Sequence, residues 1–202
     1  MYMVSVIIPY NEDRGFLQDA INSVWMQTYR DFELIPVKSS CSLGKNVNNG
    51  ILESRGEYIK VLSEDDELTP DCLKILVMGI QGYDWVYSDA ENFGELTVGW
   101  DLYSNGRTVT LGGMLKGNGI HGGTTLYRKD VLLAVGGYDE GLWTGEEYDL
   151  HLDLLKRGYN HRHIPGIVYR YRIHGNNKSL TCTREDWINR HKYIDQIKER
   201  YV

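Results

Sequence analysis

Residues 44–68 read GKNVNNGILESRGEYIKVLSEDDEL and set the architecture of the chain. Val47 and Ile51 lie about one helical turn apart, which predicts a helix over residues 44–54 that Gly56 closes. The apolar run YIKVL at residues 58–62 predicts a buried strand directly afterwards. Since this strand leads into an acidic loop, the stretch has the form of one helix-strand unit of a parallel α/β sheet.

The flanking residues repeat the same alternation of strand and helix. The continuous apolar run VSVIIP at residues 4–9 predicts a strand buried on both faces, and FELIPV at residues 32–37 predicts a second strand. Apolar residues at helical spacing predict a helix between them, over roughly residues 13–28. Thr69 and Pro70 supply an N-cap residue and a first-turn proline for a further helix. Three such alternations predict a right-handed, mostly parallel α/β sheet.

The second half of the chain has weaker periodicity. Its predicted elements are strands over residues 84–88, 124–127 and 167–173, helices over residues 130–135, 144–157 and 185–201, and short antiparallel strands and loops over the glycine-rich residues 92–118. Thr144 and Glu147 predict a capping box at the start of the helix over residues 144–157. The last helix is predicted to bury Trp187, His191, Ile194 and Tyr201. We predict one domain over residues 1–202, with a nucleotide-binding half at 1–90 and an acceptor and catalytic half at 91–202.

The composition argues against several classes of protein. The chain has 202 residues, 42% of them hydrophobic, which suffices to bury a core without disulfides or a structural metal. Its 22 Lys and Arg residues against 28 Asp and Glu residues give a net charge of −6, which disfavours general nucleic-acid binding. No stretch reaches the ~18 uncharged apolar residues of a membrane span, and the N-terminus has no basic, cleavable leader pattern. We therefore expect a soluble, cytoplasmic protein with reduced, mostly packed cysteines at Cys41, Cys72 and Cys182.

Polar residues follow each of the first three predicted strands, at residues 10–12 (YNE), 38–40 (KSS) and 63–66 (SEDD). Ligands of open parallel sheets bind outside the carboxyl ends of the strands, so we expect the three segments to face one crevice. The acidic residues 64–67 offer carboxylates to a Mg²⁺ or Mn²⁺ ion that also binds a diphosphate. A solvated acidic loop that precedes the next helix explains the same residues equally well.

Five segments resemble, in order, the landmarks of the GT-A glycosyltransferases of family 2. They are VSVIIPYNE (4–12), GKNVNNGILESRGEYIKVLSEDDEL (44–68), GGYDE (136–140), GEEYDLHL (145–152) and YRYRIHGNNKS (169–179), and together they cover nearly the whole chain. The resemblance implies the GT-A fold, a Rossmann-like, mostly parallel central sheet flanked by helices with a small antiparallel extension. It also implies an inverting, Mn²⁺- or Mg²⁺-dependent transfer of a sugar from a nucleotide-diphosphate donor, most often a UDP-sugar, to a hydroxyl of a glycan or another acceptor.

The resemblance also assigns donor-binding residues. It places near the nucleotide Pro9, Tyr10, Asn11, Glu12, Lys38, Ser40, Lys45, Ser63 and Glu64, and near the donor sugar His121, Gly122 and Gly123. The family commonly ends its second strand in paired aspartates, whereas this chain has Lys38, Ser39 and Ser40 there. Lys45 suits a phosphate in an acidic crevice, although a solvated lysine at a helix start explains it too.

The implied metal ligands are Asp65, Asp66 and His174. The family's motif reads Asp-x-Asp-Asp, and Ser63 replaces its first aspartate in this chain. Asp65 matches the position of the family's metal ligand, and Asp66 or Glu64 could substitute for it. His174 matches a C-terminal histidine that binds the metal in many GT-A enzymes, whereas a lone histidine is more often a surface or packing residue.

Glu146 and Glu147 match the Glu-Asp pair whose second carboxylate is the general base in inverting members of the family. Displacement at C1 of the donor requires a group that takes the proton of the attacking hydroxyl, and a carboxylate at a helix N-terminus can accept it. Glu147 is therefore the predicted base, with Glu146 as the second candidate, while the capping box with Thr144 is the structural alternative. Trp143 is either a platform for an acceptor sugar or a core tryptophan.

Two other functions fit parts of the same pattern. A nucleotidyltransferase has a similar sheet, but it would need a glycine- and arginine-rich loop after the first strand, which residues 10–15 (YNEDRG) do not form. A catalytically degenerate module that binds a sugar nucleotide or a glycan would account for Lys38 and Ser63. The chain could also be one module that works beside other domains of a longer transferase.

Overall fold

The computed structural model describes residues 2–94, 102–103, 109–175, 177 and 183–202. Its strands are β1 (Val4–Tyr10), β2 (Phe32–Lys38), β3 (Tyr58–Val61), β4 (Glu67–Leu68), β5 (Trp85–Gly94), β6 (Leu102–Tyr103), β7 (Leu126–Arg128) and β8 (His161–Ile173). Its helices are α1 (Leu17–Trp25), α2 (Leu43–Glu53), α3 (Cys72–Gly79), α4 (Leu111–Lys116), α5 (Lys129–Val135), α6 (Glu146–Lys156) and α7 (Arg184–Glu199). Part of the predicted segment 92–118, and Cys182, lie outside the described residues.

The strands form one mixed sheet in the order β2-β1-β3-β7-β5-β8-β4, with β6 paired to β5 beside this path. The long ladders are parallel: β1 pairs with β2 and β3, and β5 pairs with β8. The antiparallel ladders of β7 with β3 and β5, of β6 with β5, and of β4 with β8 each join two residue pairs. The predicted α/β class, a mostly parallel sheet with a small antiparallel extension, is confirmed.

Strand β1 is mostly apolar, with Ser5 as its buried polar residue, and helices cover both faces of the sheet beside it. Ile7 packs into one core with Val47 and Ile51 of α2, while Val6 and Ile8 pack into a second core with residues of α1 and α3. Successive residues of a strand point to opposite faces, so consecutive apolar residues of β1 supply both cores. The polar ends of β1 and β3 are then left at the open edge, where ligands of such sheets bind.

Helix α6 begins one residue later than the sequence pattern suggests. The predicted capping box of Thr144 and Glu147 is wrong, because Gly145 is the N-cap residue and has a positive φ of 81°. A Cβ at Gly145 would lie 2.6 Å from Cδ1 of Ile194, so the close approach of α7 also requires glycine there. Glu147 therefore does not occupy the third helical position that a capping box needs.

Helix α7 is less buried than its apolar spacing predicts. Trp187 is 54% exposed and His191 is also exposed, so the prediction that both belong to the core is wrong. Ile197 is the buried residue of this helix, and Ile194 and Tyr201 pack against the same core from half-buried positions. The core-facing stripe thus runs along the last two turns of α7, and the first half of the helix faces outward.

Two of the three cysteines lie among the described residues. Cys72 is buried, Cys41 is half-buried, and both are free thiols. In this part of the chain no helix combines the length and the apolarity needed to cross a membrane.

Helix α3 forms one wall of the second core. It begins at Cys72 after the N-cap residue Asp71, later than the start predicted from Thr69 and Pro70. Leu76 is buried on the face that α3 turns to the sheet.

Leu76→Ala is expected to lower the free energy of unfolding by about 2–5 kcal/mol, because it removes buried methyl groups and leaves a cavity. Leu76 is fully buried, whereas Met78 on the same helix is 70% exposed. Met78→Ala is the matched control and should change the same quantity by less than about 0.5 kcal/mol. Urea denaturation measures both. Equal losses in the two variants would contradict the assignment of the core face.

Candidate functional site

A cleft of about 1210 Å³ opens beyond the carboxyl ends of β1 and β3. Its lining comes from these strand ends, the start of α2, the loop that leads into α6, and one side of α7. Pockets that hold one small ligand usually measure about 300–1,000 Å³, so this cleft has room for groups of more than one substrate.

The end of β1 contributes Pro9, Tyr10 and Asn11 to the lining. The buried amide of Asn46 fixes this end, because its Nδ2 donates to Oδ1 of Asn11 (3.1 Å) and to the carbonyl oxygen of Ser39 (3.2 Å). Sequence reasoning missed Asn46, since an asparagine within a helix carries no signal of what lies opposite it.

Four predicted nucleotide contacts lie outside the lining of the cleft, namely Glu12, Lys38, Ser40 and Lys45. β2 is the edge strand, so its carboxyl end lies one strand further from the cleft than the ends of β1 and β3. Lys45 lies near the rim, where its Nζ is 3.5 Å from Oε2 of Glu140. The expectation that three strand ends face one crevice therefore holds for two of them.

The acidic loop after β3 is anchored by its most buried carboxylate. Asp66 is 1% exposed, and its two oxygens accept hydrogen bonds from the hydroxyl of Tyr169 (2.6 Å) and the backbone N–H of Arg172 (2.8 Å). Burial and the neighbouring Asp65 raise the pKa of Asp66 well above its usual value. Arg172 also donates through Nε to the carbonyl oxygen of Asp65 (2.8 Å). These contacts make Asp66 an anchor of the loop more than a side chain available to a ligand.

Asp65 lines the cleft and contacts His174, which is buried behind it and is not one of the lining residues. Nε2 of His174 is 3.2 Å from Oδ2 of Asp65, and the imidazole packs against the ring of Phe16 with centroids 4.8 Å apart. The backbone N–H of His174 donates to Oδ1 of Asn177 (2.6 Å). The structure thus brings together two of the three predicted metal ligands from positions 109 residues apart in the chain.

The carboxylate of Asp65 is an oxygen ligand that suits Mg²⁺ or Mn²⁺, and the imidazole of His174 is a softer donor that suits Mn²⁺ better than Mg²⁺. Within the described residues no group of three or more His, Cys, Asp and Glu side chains is arranged to hold a metal. Mg²⁺ and Mn²⁺ are commonly bound by one or two protein ligands together with substrate phosphates, so two side chains suffice when a diphosphate completes the set. Asp65 and His174 are the side chains that would hold such an ion.

Glu64 is buried beside an arginine that the sequence reasoning missed. Nε of Arg14 lies 3.3 Å from Oε1 of Glu64, and both side chains line the cleft together with Ser63. Burial raises the pKa of Glu64, while Arg14 opposes that shift. Arg14 therefore brings a positive charge to the acidic end of the cleft.

A buried lysine supports the 3₁₀ turn at Gly122–Thr124. Nζ of Lys60 donates to the carbonyl oxygens of Gly123 and Val61, and it lies 5.2 Å from the ring centroid of Tyr169. Burial lowers the pKa of Lys60 to about 8. The ring of Tyr169 leaves no room for a Cβ at Gly123. Lys60 gave no signal in the sequence, because a lysine in a strand is normally solvated.

The predicted base contacts the predicted donor-sugar segment. A Cβ at Gly122 would lie 2.6 Å from Cγ of Glu147, so the Glu147 side chain packs directly on this glycine. Glu146, Glu147 and Gly122 all line the cleft. His121 lies behind them, and burial with the nearby Lys60 lowers its pKa to about 4.

The acceptor candidate Trp143 lies at the surface of the cleft. It is 46% exposed, which excludes the core alternative, and its ring centroid is 5.5 Å from that of Tyr193 on α7. Helix α7 adds residues that the sequence reasoning did not assign to a site, namely Trp187, Arg190, His191, Ile194 and Lys198. From the sequence, Trp187, His191 and Ile194 are predicted to be core residues, because helical spacing alone does not show what packs against a helix.

Comparison with known proteins identifies relatives of the chain, although no family model matches it. An uncharacterized glycosyltransferase of Rickettsia conorii is 25% identical over 192 residues, which cover 76% of this chain and 31% of the relative. The uncharacterized glycosyltransferase YwdF of Bacillus subtilis is 24% identical over an alignment of 229 positions, gaps included, that covers 97% of this chain and 82% of YwdF. The chain thus spans about a third of the length of the first relative.

Solved structures of TarS from S. aureus have the same fold. The structure of TarS residues 1–349 in complex with UDP-GlcNAc matches with a TM-score of 0.73 and 16% identity, over 89% of this chain and 61% of that one. The structure in complex with UDP matches with a TM-score of 0.69 and 16% identity, over 92% of this chain and 62% of that one. The chain is thus similar in sequence to proteins named as glycosyltransferases, and it has the fold of the TarS structures.

Proposed function

We propose that the protein is an inverting glycosyltransferase that moves a sugar from a UDP-sugar to a hydroxyl of a glycan or another acceptor, with Mn²⁺ or Mg²⁺. The observation that carries the proposal is the contact of Glu147 with Gly122, in the same cleft as Asp65. This contact brings a candidate base to the segment where the resemblance puts the donor sugar. The TarS complexes with UDP and UDP-GlcNAc support this class of donor.

The nucleotide would bind at the end of β1, where Pro9, Tyr10 and Asn11 line the cleft. Its diphosphate would then reach Asp65 and His174, the two side chains that would hold the metal ion. When bound, that ion supplies positive charge that stabilises the leaving diphosphate. Arg14, which pairs with Glu64 at the same end of the cleft, adds a further positive charge.

Transfer requires that the acceptor hydroxyl lose a proton as it attacks the donor. The hydroxyl oxygen forms a bond to C1 of the sugar, the bond from C1 to the diphosphate oxygen breaks, and UDP leaves with that electron pair. The proton passes to the carboxylate of Glu147, which lies in the first turn of α6. The helix N-terminus stabilises the negative charge of this carboxylate before the reaction. One displacement at C1 inverts the configuration of the sugar.

Glu147→Gln is expected to lower the rate of sugar transfer by about 10²–10⁴-fold, because the amide keeps the shape of the side chain but cannot accept a proton. UDP affinity and melting temperature should stay near the values of the unchanged protein. A coupled assay of UDP release with a UDP-sugar, together with calorimetry for UDP, measures these quantities.

Glu146→Gln is the matched comparison for this experiment. It makes the same chemical change one residue away and should retain most of the activity. If Glu146→Gln abolishes transfer while Glu147→Gln does not, the base is Glu146. If neither variant affects a measurable activity, neither carboxylate is the base.

Removal of the proposed metal ligands is expected to weaken UDP binding. In calorimetry with Mn²⁺, addition of EDTA and the substitution Asp65→Ala should each weaken UDP binding strongly. His174→Ala should raise the Mn²⁺ concentration that UDP binding requires by roughly 10–100-fold. Asp153→Ala, which removes a carboxylate near the other end of α6, is the control and should have no effect. Unchanged, metal-independent binding of UDP in the Asp65 variant would refute the metal site.

A further inference from the structure

One face of α7 forms a wall of the cleft that the donor site does not use. The residues of this face lie three or four positions apart and border the cleft, namely Trp187, Arg190, His191, Ile194 and Lys198. None of the four acidic residues of α7 borders the cleft. The charged side chains of α7 that border the cleft are thus the basic residues Arg190 and Lys198.

Two cations that line the cleft have no salt bridge in the part of the chain that the structure describes. Among the residues that the structure describes, neither Arg190 nor Lys116 of α4 lies within ion-pair distance of a carboxylate, although both line the cleft. Lys198 differs from them, because its Nζ lies 2.9 Å from Oδ1 of Asp195. In a chain with a net charge of −6, unpaired cations that border one cavity favour the binding of an anion there.

Aromatic rings stand beside these cations. Trp187 is 54% exposed and Trp143 is 46% exposed, although both side chains are large and apolar. The Trp187 and His191 rings lie 3.7 Å apart, and Nδ1 of His191 donates to the carbonyl oxygen of Trp187 (2.8 Å). Exposed tryptophan rings present a flat apolar surface of the kind that packs against the C–H faces of sugar rings.

The wall adjoins the proposed base. Ile194 of α7 packs against Gly145, the residue directly before Glu146 and Glu147. Trp143 lies two residues before Gly145 in the same loop and contacts α7 through Tyr193. A saccharide held on these rings would therefore be close to the carboxylates at the start of α6.

We infer that this wall is the acceptor subsite and that it takes an anionic saccharide, one that bears a carboxylate or a phosphate. The sugar ring would pack on Trp187 or Trp143, and its anionic group would pair with Arg190, with Lys116 as a second cation of the cleft. The identification of the saccharide as the acceptor rests on the proposed function. The binding of an anionic saccharide by the wall does not.

Matched saccharides that differ only in charge test the inference. The full chain is titrated by calorimetry with oligogalacturonate and its methyl ester, and with a phosphorylated oligomannose and its dephosphorylated form. At least one anionic form is expected to bind about tenfold or more tightly than its neutral partner, because charge-assisted pairs with arginine are strong. The two pairs show whether a carboxylate or a phosphate is preferred.

Variants of α7 then locate the binding site. Arg190→Gln is expected to weaken binding of the anionic saccharide by about tenfold or more, and Arg190→Lys should retain part of the affinity that Arg190→Gln loses. Trp187→Ala should weaken binding of both the anionic and the neutral saccharide. Lys192→Gln removes the same charge from an exposed position outside the cleft and is the control, which should change nothing. Equal binding of anionic and neutral forms, or equal effects of the Arg190 and Lys192 variants, would overturn the inference.

Binding of UDP in the same samples separates the two proposals. UDP that binds normally while no anionic saccharide is preferred would remove the subsite and leave the proposed function intact. Saccharide binding that depends on Arg190 in a protein that neither binds UDP nor cleaves UDP-sugars would retain the subsite and remove the glycosyltransferase proposal.

Discussion

The buried carboxylate of Asp66 is the contact on which the geometry of the cleft depends. It accepts hydrogen bonds from the hydroxyl of Tyr169 and the backbone N–H of Arg172, both on β8. A buried carboxylate that loses such partners is destabilised by several kcal/mol, so the loop after β3 is held firmly to β8. The loop's position in turn places Asp65 beside His174, one residue beyond the end of β8.

The same tyrosine connects the acidic end of the cleft with the base. Its hydroxyl contacts Asp66, its ring lies against Gly123, and the cation of Lys60 lies over the ring while Nζ holds the Gly123 carbonyl oxygen. These contacts also fix the position of Gly122, the residue before Gly123, and the Glu147 side chain packs against Gly122. One buried network therefore sets the relative positions of the proposed metal ligand and the proposed base.

The sequence predicted the parts of this arrangement that depend on local patterns. The apolar run of residues 4–9 identified β1, the mainly apolar residues 32–37 identified β2, and the helical spacing of Val47 and Ile51 identified α2. The resemblance to a known family predicted Asp65, His174 and Glu147 as residues of one site. In the structure Asp65 and Glu147 both line the cleft, and His174 contacts Asp65.

What the sequence could not predict depends on contacts between distant residues. The partners of Asp66 lie 103 and 106 positions away, so its anchoring role had no local signal. Lys38 occupies the end of an edge strand, which only the order of strands reveals. Trp187 lies at helical spacing from core residues, but it is 54% exposed and lines the cleft, which spacing alone does not reveal.

The stereochemistry of UDP-GlcNAc hydrolysis tests the central claim most directly, since water can replace an unidentified acceptor. The full chain with Mn²⁺ is mixed with UDP-GlcNAc, whose sugar is α-linked, and proton NMR follows the anomeric signal before mutarotation. A single displacement with a carboxylate base predicts that the first sugar released is the β-anomer. Release of the α-anomer, or binding of UDP-GlcNAc without turnover in the presence of any metal or acceptor, would contradict the account.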